Sequence, residues 1–367
     1  MSRKYFSLFF FIYAVAVVYL ASTTPVSPHE VKLFFAYDNI VSILMHSGKA
    51  IVDETVFGPF LGIRFFFLLI GFISIFLYYR MSWIYLDKEE DRHTATVIYM
   101  LLPGIITALA LANISILVIP LVLLFLLAYD REWLWAQALL MFFLFIMHDA
   151  SVIFFIAIFI YALIRKETPL VVLSGFFLML AFVTLQGLEI RGKPSGYFAD
   201  LFGLYAALFS PLLFIYFFYT MYRILLREEK NILWYISSIA LLASLVLSVR
   251  QRIVLTDFAP YVVISIVLML DTYYKSLRIR LPEYRGWYRG GFAVVMIVLV
   301  ISSLTIIFHK AFFPLMTDSK KHFASRLYEP YWLANELKKK NLECYDTFDG
   351  RVASQLRFYG IKSCQKK

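Results

Sequence analysis

The sequence predicts an all-α polytopic membrane protein, and three observations carry that expectation. Of the 367 residues, 61% are hydrophobic, against ~45–50% in soluble domains. Only 16% are charged, where soluble domains carry ~25%. The apolar residues are also gathered into runs of roughly 15–20 between short polar turns, close to the length that crosses a bilayer. Together these exclude a cytosolic enzyme, a disordered chain and a disulfide-rich secreted domain.

The elements follow in order. Arg3 and Lys4 precede an apolar stretch from Tyr5 to Ala21, interrupted only by Ser7. The stretch is longer than a signal-peptide core, and Thr23-Thr24-Pro25 is a poor cleavage site, so it reads as a first transmembrane helix running outward. Ten further spans are expected at roughly 61–79, 94–111, 113–128, 133–148, 150–164, 170–187, 202–222, 232–249, 259–274 and 291–308. About eleven spans place the N-terminus in the cytoplasm and the C-terminus outside. The inner turns then hold sixteen Lys and Arg residues and the outer loops before the tail hold six (Lys32, Lys49, Arg191, Lys193, Arg250 and Arg252), the asymmetry that sets orientation. Much of the net charge of +10 is therefore topological. No basic and aromatic patch of the nucleic-acid-binding kind is present.

Two parts lie outside the spans. The first outer loop, residues 23–60, is partly apolar: Leu33, Phe34, Tyr37, Ile40, Val41, Leu44 and Met45 repeat at helical spacing. They predict one helix in the membrane interface, with Pro28 at its start and Gly48 at its stop. The second part is a small α/β extracytoplasmic tail, 309–367, following the transmembrane domain of 1–308. Tyr331–Lys340 and Val352–Phe358 read as helices, and Leu342–Thr347 and Ile361–Cys364 as strands. Cys344 and Cys364 are the two cysteines; they cannot build a four-cysteine zinc site, and outside the cytoplasm they can pair as a disulfide.

No nucleotide loop, zinc-protease motif or serine elbow occurs. The candidate chemistry is charge at the outer face. Glu30, Asp38, Asp53 and Glu54 lie in the first loop. Arg64 begins the second span, where an unpaired charge is costly. Arg191, Lys193, Arg250 and Arg252 crowd the later outer loops, the last two followed by Asp257 and Pro260. A carboxylate facing several cations suits removal of a proton from an acceptor and stabilisation of a phosphate leaving group. Taken singly, most of these residues also fit plain solvated loop charge, and His148-Asp149 fits a polar turn.

Four features resemble the GT-C-fold glycosyltransferases, in particular the aminoarabinose transferases and protein O-mannosyltransferases. His29-Glu30 stands in the long first loop where that family shows an acidic pair. Phe57-Gly58 is followed by Arg64. Arg250 and Arg252 run into Pro260 at a late span. Leu356-Arg357-Phe358-Tyr359-Gly360 ends the tail with an aromatic pair. The resemblance implies an inverting transfer of sugar from a polyprenyl-phosphate donor to a lipid, glycan or protein acceptor, at the outer face of an inner (plasma) membrane. It implies Glu30 as base, with Asp38 or Asp53 in reserve. Arg64, Arg191, Lys193, Arg250 and Arg252 would contact the substrate phosphate, with no metal and no cofactor. His29 in place of the first acid, and Asn113 near where many members carry another, are departures. Two other functions compete: a transporter or flippase for a lipid-linked or anionic solute, and a non-catalytic scaffold of the same fold. Transporters place polar groups near the midplane, whereas here they gather at the outer face.

Overall fold

The structure, a computed structural model, describes residues 3–36, 39–53, 58–184, 196–315 and 322–364. These are overwhelmingly helical. The helices are α1 Arg3–Thr23, α2 Pro28–Phe34, α3 Ile40–Ile51, α4 Leu61–Tyr85, α5 Glu89–Leu101, α6 Pro103–Ala110, α7 Ser115–Asp130, α8 Leu134–Met147 and α9 Ser151–Arg165. They continue as α10 Thr168–Val183, α11 Phe198–Phe209, α12 Pro211–Arg227, α13 Ile232–Ser248, α14 Ala259–Val263, α15 Ile266–Ile279, α16 Pro282–Ile307, α17 Ser325–Lys339 and α18 Gly350–Phe358.

Three of them, α1, α4 and α16, are long and apolar enough to cross a bilayer, and the total is five if two bent pairs each count as one span. That is fewer than the eleven spans expected. Helices do occupy the expected positions, but α7, α8, α9, α10 and α13 have only 14–17 residues. At about 1.5 Å per residue they fall short of a ~30 Å hydrocarbon layer. Two expected single spans are broken by proline. Pro103 forces Leu102 out of helical geometry (ψ 126°), and α5 and α6 meet at 60°. Pro211 does the same to Ser210 (ψ 148°), and α11 and α12 meet at 105°. The exposed apolar side chains form outward stripes, such as Tyr5, Leu8, Ile12, Val15 and Tyr19 on α1 and Val294, Ile297, Ile301 and Leu304 on α16. Such stripes on long helices face lipid rather than water. The molecule is a multi-pass membrane protein.

The chain forms two compact units. The larger comprises Met1–Phe11, Ile70–Ile106 and Ile114–Ser303; the smaller comprises Ile12–Leu69, Thr107–Asn113 and Leu304–Lys367. In the larger unit α9 packs between α10 and α13, and the short α14 lies against α7 and α13. Its interior is aromatic, with Phe125, Phe154, Phe155 and Tyr261 fully buried.

In the smaller unit the first loop folds as two helices rather than the expected single one. Ser27 caps α2 and Asn39 caps α3, each side chain accepting from a backbone amide inside its helix. Gly48 is not a stop. It sits inside α3 facing the start of α4, where a Cβ would collide with the Gly62 carbonyl oxygen, so small residues set the crossing distance. The tail places α17 against α18, with Ala334, Leu337, Leu356 and Ile361 as its core. The two expected strands reduce to one parallel bridge between Cys344 and Lys362, and no strand occurs among the described residues. Cys344 and Cys364 are joined by a disulfide.

Candidate functional site

The first loop is organised by a buried ion pair. Pro28 begins α2, and Ser27 and Glu30 form a capping box: the Glu30 amide donates to Ser27 Oγ (3.1 Å) and the Ser27 amide to Glu30 Oε2 (2.7 Å). This turns the Glu30 carboxylate back toward the start of its helix, where Arg64 on α4 meets it in a two-point contact, Nε to Oε1 at 2.7 Å and Nη2 to Oε2 at 2.9 Å. Arg64 is 0% and Glu30 1% exposed.

Every polar position of the pair is used. Arg64 Nη1 donates to the carbonyls of Ala21 (2.7 Å) and Thr24 (2.6 Å), and Nη2 also donates to that of Pro25 (3.1 Å). Ala21 is in the last turn of α1 and Thr24 and Pro25 follow it, so Arg64 supplies donors to carbonyls at and just past a helix end. The Ala112 amide donates to Glu30 Oε1 (2.9 Å). All five guanidinium donors and all four carboxylate acceptor positions are thereby filled. Burial would raise the Glu30 carboxyl, but the charge and hydrogen bonds of Arg64, with the amides of Ser27 and Ala112, outweigh it and hold it below its ordinary value. In this arrangement Glu30 has no lone pair to take a substrate proton, and Arg64 has no N–H left for a phosphate.

The tail closes on the same loop. Tyr359 Oη accepts from the Val26 amide (3.2 Å), and Gln355 Nε2 donates to the Val26 carbonyl (2.9 Å). Arg357 stacks over Phe35 (4.4 Å), Phe358 meets Phe34 edge-on (5.2 Å), and Gly360 turns the chain at φ 88°, a conformation glycine adopts without strain. Within Leu356–Gly360, the three middle residues Arg357, Phe358 and Tyr359 thus attach the tail to the first loop. Gly58, the described half of the Phe57-Gly58 motif, also has positive φ (86°). Between α16 and α17, His309 Nε2 lies 2.8 Å from Tyr328 Oη, and His322 Nε2 lies 3.1 Å from the His309 carbonyl.

The remaining predicted residues are dispersed. Asp53 is exposed just beyond α3. Asp38, Arg191 and Lys193 lie outside the described residues. Arg250 and Arg252 belong to the larger unit, both exposed. Arg252, 80% exposed, reaches Asp200 Oδ2 at 3.6 Å and lies over the Tyr197 ring at 5.5 Å. Backbone bonds from Gly196 to Val249 and from Tyr197 to Ser248 tie this loop to the start of α11.

The larger unit also holds a less complete cluster. His148 closes α8 and is 4% exposed. Its Nδ1 lies 3.1 Å from Tyr261 Oη. Its Nε2 faces Asp257 Oδ1 at 3.9 Å, too far for a hydrogen bond, and has no hydrogen-bond partner among the described residues. Asp257 is 30% exposed. Burial first, and then the nearby charge of Asp149, push its carboxyl up to about 6, against a hydrogen bond from Thr256 that lowers it. Sequence reasoning passed over this cluster because His148-Asp149 fits a turn, and Asp257 is 109 residues away. It also missed Ser27, although Ser-x-x-Glu before an apolar run is a capping-box signal. No three His, Cys, Asp or Glu residues among those described are placed to hold a metal ion.

No family model matches this sequence, and no curated protein does. Among solved structures, the fold matches that of ArnT from Cupriavidus metallidurans, crystallised with undecaprenyl phosphate, at a TM-score of 0.55. The match spans 98% of this chain and 75% of that one, at 12% identity. At that identity the likeness is one of fold: this chain is built like ArnT along nearly its whole length.

Proposed function

We propose that the protein is an integral-membrane glycosyltransferase that moves a sugar from a polyprenyl-phosphate carrier to a lipid, glycan or protein acceptor at the outer face of an inner membrane. The observation that carries this is the match of fold along 98% of the chain to a protein crystallised with undecaprenyl phosphate. In this reading Arg250 and Arg252, with Arg191 and Lys193 from the preceding loop, hold the carrier phosphate and neutralise it as it leaves. Acceptor oxygen or nitrogen attacks the anomeric carbon, the carbon–phosphate-oxygen bond breaks, and a carboxylate takes the acceptor's proton.

We assign that proton to Asp257, whose carboxyl at about 6 is suited to accepting it near neutral pH, and which has His148 and Tyr261 behind it. Asp53 is the first-loop alternative, and Asp38 lies outside the described residues. Glu30 would serve only if its pair with Arg64 opened. The closed pair instead favours a positioning role, and it is also what a scaffold without catalysis would keep.

The test uses the full chain in detergent with a series of polyprenyl phosphates, following thermal stability of wild type and of Arg250→Gln/Arg252→Gln. The transferase reading expects stabilisation by the phosphate lipid that the double variant loses. No stabilisation by any member of the series would remove the carrier and return the fold to transport or scaffolding.

A further inference from the structure

We propose that the C-terminal turns of α12 and α15 form a second lipid site, for the phosphate group of an anionic membrane phospholipid, at the face opposite the outer loops. This does not rest on the transferase reading. The Lys and Arg asymmetry assigns these turns to the inner side.

A cavity of about 430 Å³ opens there, into which Arg223 and Arg227 of α12 and Ser276 and Arg280 at the end of α15 project. Three guanidinium groups line it and no carboxylate does. Arg227 and Arg280 bring like charges to one hollow beside the Glu228-paired Arg223, and an anion between them relieves their repulsion while supplying acceptors for their donors. Arg223 donates through Nη1 to Ser276 Oγ and its buried Nε faces the Glu228 carboxylate at 3.4 Å, so the donors open to an anion are chiefly those of Arg227 and Arg280. Arg227 makes no ion pair among the described residues. Arg280 is stacked over the Tyr288 ring at 4.1 Å, which orients its plane without using its N–H groups.

The surroundings are those of a headgroup rather than of a free ion. Tyr219 and Tyr222 rim the cavity, and Leu226 and Ile279 continue its wall. All four are exposed, which gives acyl chains an apolar path away from the charges. Trp287, 86% exposed, and Tyr284 stand on the first turns of α16, as aromatic side chains do at the membrane interface. The Tyr216–Tyr288 hydroxyl contact of 3.0 Å ties α16 to α12 beside the site. Basic pockets between helices on the cytoplasmic side are a known form of phospholipid-headgroup recognition. An adjoining cavity of about 470 Å³ is lined by Glu228 and Glu229 as well as Arg223, Arg227 and Lys275; its mixed charge bounds the anion site on that side.

The experiment takes the full chain, delipidated in neutral detergent, and titrates it with phosphatidylglycerol, phosphatidylcholine and inorganic phosphate. Bound lipid is counted by native mass spectrometry and stability is followed by thermal unfolding. Arg227→Gln/Arg280→Gln removes two exposed charges that make no ion pair among the described residues, so the fold is kept. Lys88→Gln/Lys230→Gln removes the same charge elsewhere on the inner side. The proposal expects wild type and the lysine variant to retain phosphatidylglycerol in preference to phosphatidylcholine, and the arginine variant to bind it at least tenfold more weakly. Equal binding by the arginine variant, equal loss in the lysine variant, or no preference over phosphatidylcholine overturns it. So does stabilisation by inorganic phosphate to which the lipid adds nothing, which would make this a site for free phosphate.

Discussion

Glu30 and Asp257 each sit beside a basic or titratable partner, and the two are built in opposite ways. Glu30 is sealed: its partner Arg64 is bonded at every donor, and a backbone amide fills each remaining acceptor position. Asp257 is open: it faces His148 across 3.9 Å and keeps 30% of its surface in solvent. A completed network holds elements together and has nothing left to offer a substrate, while an incomplete one retains a lone pair and a proton position. Their linkage to pH also runs in opposite directions. The folded Glu30 value lies below 4.5, so its contribution to stability is full above that pH and is lost as pH falls through the folded value. The folded Asp257 value of about 6 lies above 3.8, so its contribution is present below 3.8 and is lost as pH rises through 6.

The largest expected effect comes from breaking the sealed pair. Glu30→Ala strands a buried guanidinium and should cost about 3–5 kcal/mol, measured as a lowered unfolding midpoint in detergent. A midpoint equal to that of wild type would mean the pair is not holding α1, α2 and α4 together. Next is the open carboxylate. Asp257→Asn should lower transfer by about 10²-fold and remove the decline in stability between pH 4 and 6 expected of wild type. Lost transfer with an unchanged pH–stability profile would place Asp257 elsewhere than the half-buried position described. The smallest effect sharpens the role of the tail. Tyr359→Phe deletes one hydrogen bond to Val26 and keeps the ring, which should cost about 1 kcal/mol and leave the Asp257 profile untouched. A drop as large as that of Glu30→Ala would show that the Val26 contact supports the sealed pair itself.

The sequence made the helical class legible because hydrophobic runs are local. It placed α1 within a few residues at both ends, α4 at its start and α16 at its end, since each apolar run is continuous and long, but missed the polar ends at Tyr85 and Pro282. It joined α5 to α6 and α11 to α12, because Pro103 and Pro211 lie inside apolar runs with little polar interruption, and the backbone geometry of the preceding residue shows the bend. Glu30 and Arg64 both stood out as charges in apolar surroundings. Their mutual contact did not, because they are 34 residues apart and one sequence carries no sign of which distant side chains meet. The same limit hid the Ala112 amide and the pairing of His148 with Asp257. In the first loop, helical spacing of apolar residues ran through the break between α2 and α3, where Asn39 caps a new helix that periodicity alone does not mark.

The clasp on Val26 also sets an order of events in time. The amide and carbonyl of this residue are satisfied by side chains 333 and 329 positions later in the chain. At roughly 5–20 residues per second of synthesis, those partners emerge tens of seconds after Val26 itself. During that interval the first loop can make its capping box and its pair with Arg64, but Val26 must keep water as its partner. The last segment of the described chain to be made is therefore the one that dries and closes the first loop. A ribosome that stops before Gln355 leaves a protein whose spans are present and whose first loop is still unsealed.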